Sequence, residues 1–312
     1  MSKKRLFTGL QPSGTLHIGN YFGALKPFLD TYTEYDSYLM VADYHSLTTL
    51  KNGDELRRNT IDVVKDYLAA GVDPNKAIIF KQSSISEHTE LAWIFECLVS
   101  VKFLELAHAY KDKVAKGLEA NAGLFNYPML MAADILLYDT DIVPVGRDQQ
   151  QHVEYAREAA KKFNLAYSNL FKEPTEKIVE GVGTVPGTDG QKMSKSYKNT
   201  IPLFGEKEEI QKAVMSIVTD STGERPENVY AIHKLFRSES ELNKLYEENK
   251  GKYKNLKEAL LLDVENFVAP LREKRTSITD EMVMDVLKVG AEAARLQAAA
   301  KITMVRQEIG II

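Results

Sequence analysis

The sequence predicts an α/β fold: a doubly wound parallel sheet over residues 1–190, followed by a smaller all-helical region over 191–312. Three observations carry this. Short apolar runs of strand character alternate with amphipathic stretches of helical period through the first 85 residues, the βαβ pattern of a parallel sheet. From residue 200 onward only the helical period is found. Finally, 312 residues with 44% apolar side chains suffice to fill one large core or two.

Taken in order, RLFTGL reads as a buried strand, QPSG as a turn, and LHIGNYFGALKPFLDTY as a helix with Ile18, Phe22, Leu25 and Leu29 on one stripe. YLMVAD is a second strand ending at Asp43, ELRRNTIDVVKDYLAAG a helix stopped by Gly71, and AIIFKQSS a third strand. From Glu87 to Lys116 the chain reads as helical and apolar on more than one face, with Trp93, Phe95, Leu98, Val101 and Leu106 among its side chains. Such a segment is either a central core helix or a subunit interface. MLMAADILLY is an apolar helical run, and DIVPVG a further strand leading into the helix QQHVEYAREAAKKF. The helical region comprises EKEEIQKAVMSIV, ESELNKLYEENK, NLKEALLLDVENFVAPLREKR and a long last helix from about Asp280.

Composition excludes several classes. A formal charge of -4 argues against a protein that coats DNA or RNA through bulk positive charge, so nucleic acid contacts must be made by patches. A single cysteine, Cys97, permits no internal disulfide and no cysteine metal cluster, iron–sulfur included. The basic N-terminus has no apolar stretch behind it, and no apolar run reaches the roughly 18 residues of a membrane span. A cytoplasmic protein with neither membrane nor DNA as partner is expected.

Two segments carry chemistry. QPSGTLHIGN leaves a strand, turns through Pro12 and Gly14, and opens a helix whose free N–H groups and dipole favour an anion. His17 and Asn20 stand in its first turn, where they can donate to phosphate oxygens, and Gly19 lets a flat ring approach the backbone. The second segment, GTDGQKMSKS, sets Lys192 and Lys195 on a glycine-bearing loop. Either it is a solvated loop or a mobile clamp for an anion.

HIGN at 17–20 and KMSKS at 192–196, with an α/β domain between them, resemble the two ATP-binding motifs of the class I aminoacyl-tRNA synthetases, a Rossmann-like fold. The stretches FTGLQPSGTLHIGNYFGAL, DYHSLTT and NAGLFNYPMLMAADILLYDTDIVPVGRDQQQH are similar in order and spacing to the bacterial tryptophanyl branch of that family. Asn20 replaces the second histidine of the general motif, a variation usual in this branch. The match is specific over residues 7–196 and generic beyond.

The resemblance implies roles for particular residues. Asp134 would accept the indole N–H of tryptophan, although by itself it reads as a core aspartate paired with neighbouring groups. Phe7, Met131, Val143 and Val145 would form the slot for the ring, with His45 in the same pocket. Tyr127 and Gln149 would meet the substrate amino group, and Gln11 its carboxylate or ATP. Pro12, Ser13, Gly19 and Asn20, with Met193, Ser194 and Ser196, would line the nucleotide. Gly146, Arg147 and Asp148 would hold the ribose, unless Asp148 caps the next helix. Val185 would lie at the adenine. His17, Lys192 and Lys195 would stabilise phosphate charge, and Lys113 would meet pyrophosphate unless it belongs to a solvated helix face.

The reaction implied is adenylation of tryptophan by ATP, with Mg²⁺ arriving on the ATP phosphates, then transfer to tRNA(Trp) bound through the helical region. A homodimer is expected, built on 87–116. The tyrosyl branch is the nearest alternative, disfavoured because its second motif commonly departs from KMSKS. A small adenylyl transferase would not need the helical region. A non-catalytic RNA-binding paralogue would be expected to lose the lysines or His17.

Overall fold

In the computed structural model the described residues are 3–115, 117, 120–145, 150–178, 185–219 and 225–312, the side chains at 109 and 113 excepted. Among these residues five parallel strands form one sheet: β1 (Arg5–Leu10), β2 (Asp36–Val41), β3 (Ala77–Lys81), β4 (Ile142–Val145) and β5 (Thr175–Ile178), in the order β3-β2-β1-β4-β5. Strand order therefore reverses between β1 and β4. A doubly wound sheet leaves its ligand crevice there, beyond the carboxyl ends of the strands.

Alternation along the strands divides the interior into two clusters. Leu6, Leu39, Val41 and Ile79 face one side with Val63, Val64 and Tyr67 of the helix Gly53–Ala70. Phe7, Tyr38, Met40 and Phe80 face the other, packed with the helices Glu87–Glu96, Ala122–Leu136 and Gln150–Ala166. The helix Gly53–Ala70 stops as expected at Gly71, whose φ of 112° only glycine adopts readily.

Three expectations are corrected. The segment 87–116 is not one helix but three, Glu87–Glu96, Val101–Leu104 and His108–Ala115. Ser100 breaks it: its backbone is extended and its Oγ accepts the Phe103 N–H, starting a new helix. Strand β5 is unforeseen, because TEKI is short, charged and preceded by Pro174; those are the traits of an edge strand.

The third correction concerns the last helix, Asp280–Glu308, which does not stay with the helical region. Its Val283 and Leu287 lie in the first cluster, whereas Ala291, Ala294, Ala298, Ile302 and Val305 lie in the second. It passes from one face of the sheet to the other over β3. At the crossing, a Cβ on Gly290 would stand 1.8 Å from the Ile79 carbonyl oxygen, so only glycine fits. The helices Lys207–Met215, Glu227–His233, Glu239–Glu248 and Tyr253–Thr276 extend the first cluster beyond the sheet.

Candidate active site

The carboxyl end of β1 runs into the turn 11–16, where Gly14 takes a φ of 89°. His17 then caps the short helix Ile18–Asn20. Its Nδ1 accepts the Asn20 N–H at 3.2 Å, while Asn20 Oδ1 accepts the His17 N–H at 3.1 Å. The helix continues through a π-helical turn, Tyr21–Leu25, into Lys26–Leu29, where Pro27 has no N–H to contribute. Because Nδ1 accepts a backbone proton, the imidazole proton resides on Nε2. Burial first, and the nearby Lys195 charge second, lower the His17 pKa to about 4. At neutral pH His17 is thus an uncharged ring whose free nitrogen donates.

The second motif folds against this turn. Residues 185–199 form a tight hairpin in which Met193 N–H donates to Val185 O at 2.9 Å and Gly187 N–H to Gln191 O at 2.6 Å. Asn199, 2% exposed, holds both limbs. Its Oδ1 accepts the Ser194 N–H at 2.7 Å, and its Nδ2 donates to Asp189 Oδ1 at 2.7 Å and to the Lys192 carbonyl at 3.1 Å. A Cβ on Gly187 would lie 2.3 Å from that side chain, and Gly190 has a φ of 82°. Both glycines are therefore demanded by a defined turn.

The two motifs touch. Lys195 Nζ donates to the Ser13 carbonyl at 2.7 Å, and partial desolvation where it rests on the turn lowers its pKa. A Cβ on Gly19 would lie 2.9 Å from His17 Nδ1 and 3.2 Å from Met193 Cβ, so the bare backbone lets the KMSKS segment close on the helix start. Met193 and Val185 are buried in the same cluster as Leu16 and Ile18. Ser194 and Ser196 hydroxyls lie 2.9 Å apart. Gln11 and Ser13 are exposed, Pro12 is buried, and Lys192 and Lys195 lie at the surface. These are donors and cations, a set that suits phosphate. Among the described residues no group of three or more His, Cys, Asp or Glu side chains is placed to hold a metal ion.

On the other face of the sheet lies Asp134, 1% exposed on the helix Ala122–Leu136. His45 Nε2 donates to Oδ2 at 2.9 Å, His88 Nδ1 to Oδ1 at 2.6 Å, and Gln82 Nε2 to both oxygens at 2.8 and 3.0 Å. Burial alone would raise this carboxyl, but the hydrogen bonds it accepts from His45 and His88 outweigh that and hold it at about 2. The ionised carboxylate only accepts, so His88 donates through Nδ1 and receives the Tyr138 hydroxyl proton at Nε2, 2.8 Å away. Burial first, then the Asp134 charge, push the Tyr138 phenol far up, and it remains a donor. Each carboxylate oxygen thus meets two donors, His88 and Gln82 on Oδ1 and His45 and Gln82 on Oδ2.

The expected slot residues share this cluster. Phe7 and Val143 are buried, while Met131, Val145 and Tyr127 are partly buried against it. Tyr127 stands edge-on to His45, its ring centroid 6.4 Å away, and its hydroxyl lies 3.0 Å from His152 Nε2. Gly146, Arg147, Asp148, Gln149 and the Lys113 side chain lie outside the described residues. Sequence reasoning missed Gln82, His88 and Tyr138, and it missed Asn199. The available signal was a polar residue set directly after a strand, in an apolar segment, or after the lysine motif.

The profile of tRNA synthetases class I (W and Y) matches residues 2–275. The chain is 47% identical to the tryptophan–tRNA ligase of Fusobacterium nucleatum, over 99% of this chain and 98% of the relative. It is similar in structure to the tryptophanyl-tRNA synthetase of Campylobacter jejuni complexed with ADP and tryptophan, with a TM-score of 0.90 and 42% identity over 98% of this chain and 99% of that one. The enzyme of Mycoplasma pneumoniae follows with a TM-score of 0.86 and 31% identity, covering 98% of each.

Proposed function

Since the chain belongs to the class I tRNA synthetases for tryptophan and tyrosine, and is a ligase of tryptophan to tRNA, we propose that it divides this chemistry between the two sites described above. The observation that carries the proposal is the joining of His17, Met193 and Lys195 at the carboxyl end of β1. ATP binds along the turn 11–20, His17 Nε2–H donates to a phosphate oxygen, and Lys192 and Lys195 neutralise charge as it moves to the leaving pyrophosphate. The tryptophan carboxylate is already ionised and attacks the α-phosphorus directly. No protein nucleophile is required, and the protein contributes position and charge. Mg²⁺ enters on the ATP phosphates.

Tryptophan lies between Phe7, Met131, Val143 and Val145, its indole N–H replacing one of the donors now on Asp134, beside His45. Tyr127 and Gln149 receive its amino group. Gly146, Arg147 and Asp148 hold ribose, and Lys113 meets pyrophosphate. The acyl group then passes to the terminal adenosine of tRNA, whose distal part is bound by the helices over 200–276. The working form is a cytoplasmic homodimer. Among the described residues no helix is long and apolar enough to cross a membrane.

Pyrophosphate exchange measured with each amino acid tests the substrate. Exchange strongly dependent on tryptophan is expected; equal or faster exchange with tyrosine would favour the other branch of the family.

A further inference from the structure

The backbone around His17 is fixed by groups remote in sequence. Leu16 N–H donates to Asp66 Oδ2 at 2.8 Å, and Leu16 O accepts the Leu203 N–H at 2.9 Å. On the other side Ile18 N–H donates to Ile201 O at 3.0 Å. The turn thus has two holders: Asp66 on the helix Gly53–Ala70, and the segment 201–203 that follows the KMSKS loop.

Arg275, near the end of the helix Tyr253–Thr276, bonds the first holder and lies over the residue that directly follows the second. Its Nε donates to Asp66 Oδ1 at 2.5 Å and its Nη2 to Asp62 Oδ1 at 2.7 Å, while the guanidinium lies 5.5 Å from the centroid of the Phe204 ring. One turn earlier Arg272 donates to the Gly205 carbonyl. Asp66 is fully buried, and a buried carboxylate is sustained only by partners that satisfy both oxygens. Here one partner is the backbone of the reaction turn and the other is the helical region.

We propose that Asp66 is a positioning residue for adenylate formation, through which Arg275 of the helical region holds the His17 turn in place. A carboxylate serving only the core would need no backbone donor adjacent to His17. A guanidinium serving only the surface would not bond one holder of the turn and lie over the ring that adjoins the other. The inference rests on the reading of the His17 turn as the phosphate side of the site.

The test is pyrophosphate exchange at saturating ATP with Asp66→Asn, Arg275→Gln, the double variant and, separately, His17→Asn. Displacement of a reacting group by about 1 Å costs on the order of 100-fold, so the single variants at 66 and 275 should lose about 10-fold to 100-fold in kcat, with tryptophan KM changed less than about two-fold. In the double variant the amide introduced at position 66 can accept the Leu16 N–H and also bond the amide introduced at position 275, so it should recover most of the rate lost by Asp66→Asn. If His17→Asn is slow while Asp66→Asn and Arg275→Gln turn over at the wild-type rate, even with lowered Tm, the inference is overturned. If His17→Asn is itself at the wild-type rate, the reading beneath it fails. Should Asp66→Asn not fold, Arg275→Lys keeps the charge and loses the fork between Asp62 and Asp66; a reduced kcat is expected, and an unchanged one overturns the proposal.

Discussion

Lys195 Nζ donates to the carbonyl of Ser13 at 2.7 Å, joining residues 182 positions apart across the phosphate side of the site. A carbonyl is a weak partner for an ammonium that ATP could claim, so the bond keeps the lysine at its post. Charge shifts to pyrophosphate only as the bond to the α-phosphorus breaks, and Lys195→Ala should cost about 2–4 kcal/mol in that step, roughly 30-fold to 1000-fold in kcat. Tryptophan affinity should hardly change, because the indole slot is on the opposite face of the sheet. Stopped-flow adenylate formation checks this, and a wild-type rate in a folded variant refutes the role.

Asp134 carries two burdens that one substitution separates. Asp134→Ala leaves His45, His88 and Gln82 as buried donors without their acceptor, at a cost of about 3–5 kcal/mol of stability. It also removes the acceptor for an indole N–H, and such sites discriminate by up to about 10⁴ to 10⁵. In the folded variant the ratio of kcat/KM for tryptophan over phenylalanine should collapse. A lowered Tm with that ratio intact would make Asp134 purely structural.

The parts of this molecule legible in sequence are those that local chemistry dictates. Four strands, the Gly71 stop and the His17 helix start follow from period, glycine and capping chemistry. What could not be read depends on groups meeting from afar. The Asp134 acceptors are filled from helix and strand ends 46 to 89 residues away, and nothing in EHTELAWIFE marks His88 as one of them. Likewise Gly290 reads as a weak point in a helix, until the Ile79 carbonyl is found where its side chain would stand. The turn that the KMSKS glycines make is not legible because the buried Asn199 that dictates it follows the motif instead of preceding it.

The segment 87–115 leaves apolar side chains in solvent: Trp93 is 67% exposed, Val101 63% and Leu106 49%. Large apolar side chains exposed along one segment favour a homodimer seated there. Trp93→Glu should convert dimer to monomer, since an unpaired charge in an apolar contact costs several kcal/mol. Sedimentation velocity at micromolar concentration measures it. A wild-type chain that already sediments as a monomer removes the prediction.

The capped, uncharged His17 predicts a pH dependence of definite sign. Its folded-state pKa of about 4 lies below the ordinary value of 6.5, so on acidification the unfolded chain takes up this proton first. The folded state therefore loses stability as pH falls from about 6.5 to about 4, and this group contributes no further change outside that window. Protonation at Nδ1 also breaks the bond to the Asn20 N–H and sets a second cation beside Lys195, so its effect on adenylate formation should centre near pH 4 rather than 6.5. Asparagine at 17 can cap the helix without titrating, so His17→Asn should flatten the Tm profile between pH 4 and 6.5 relative to wild type. Other acid-titrating groups are common to both proteins and cancel in the difference. Parallel Tm profiles, or a His17-dependent acid limb centred at 6.5, would show that the imidazole is not held neutral by its burial and cap.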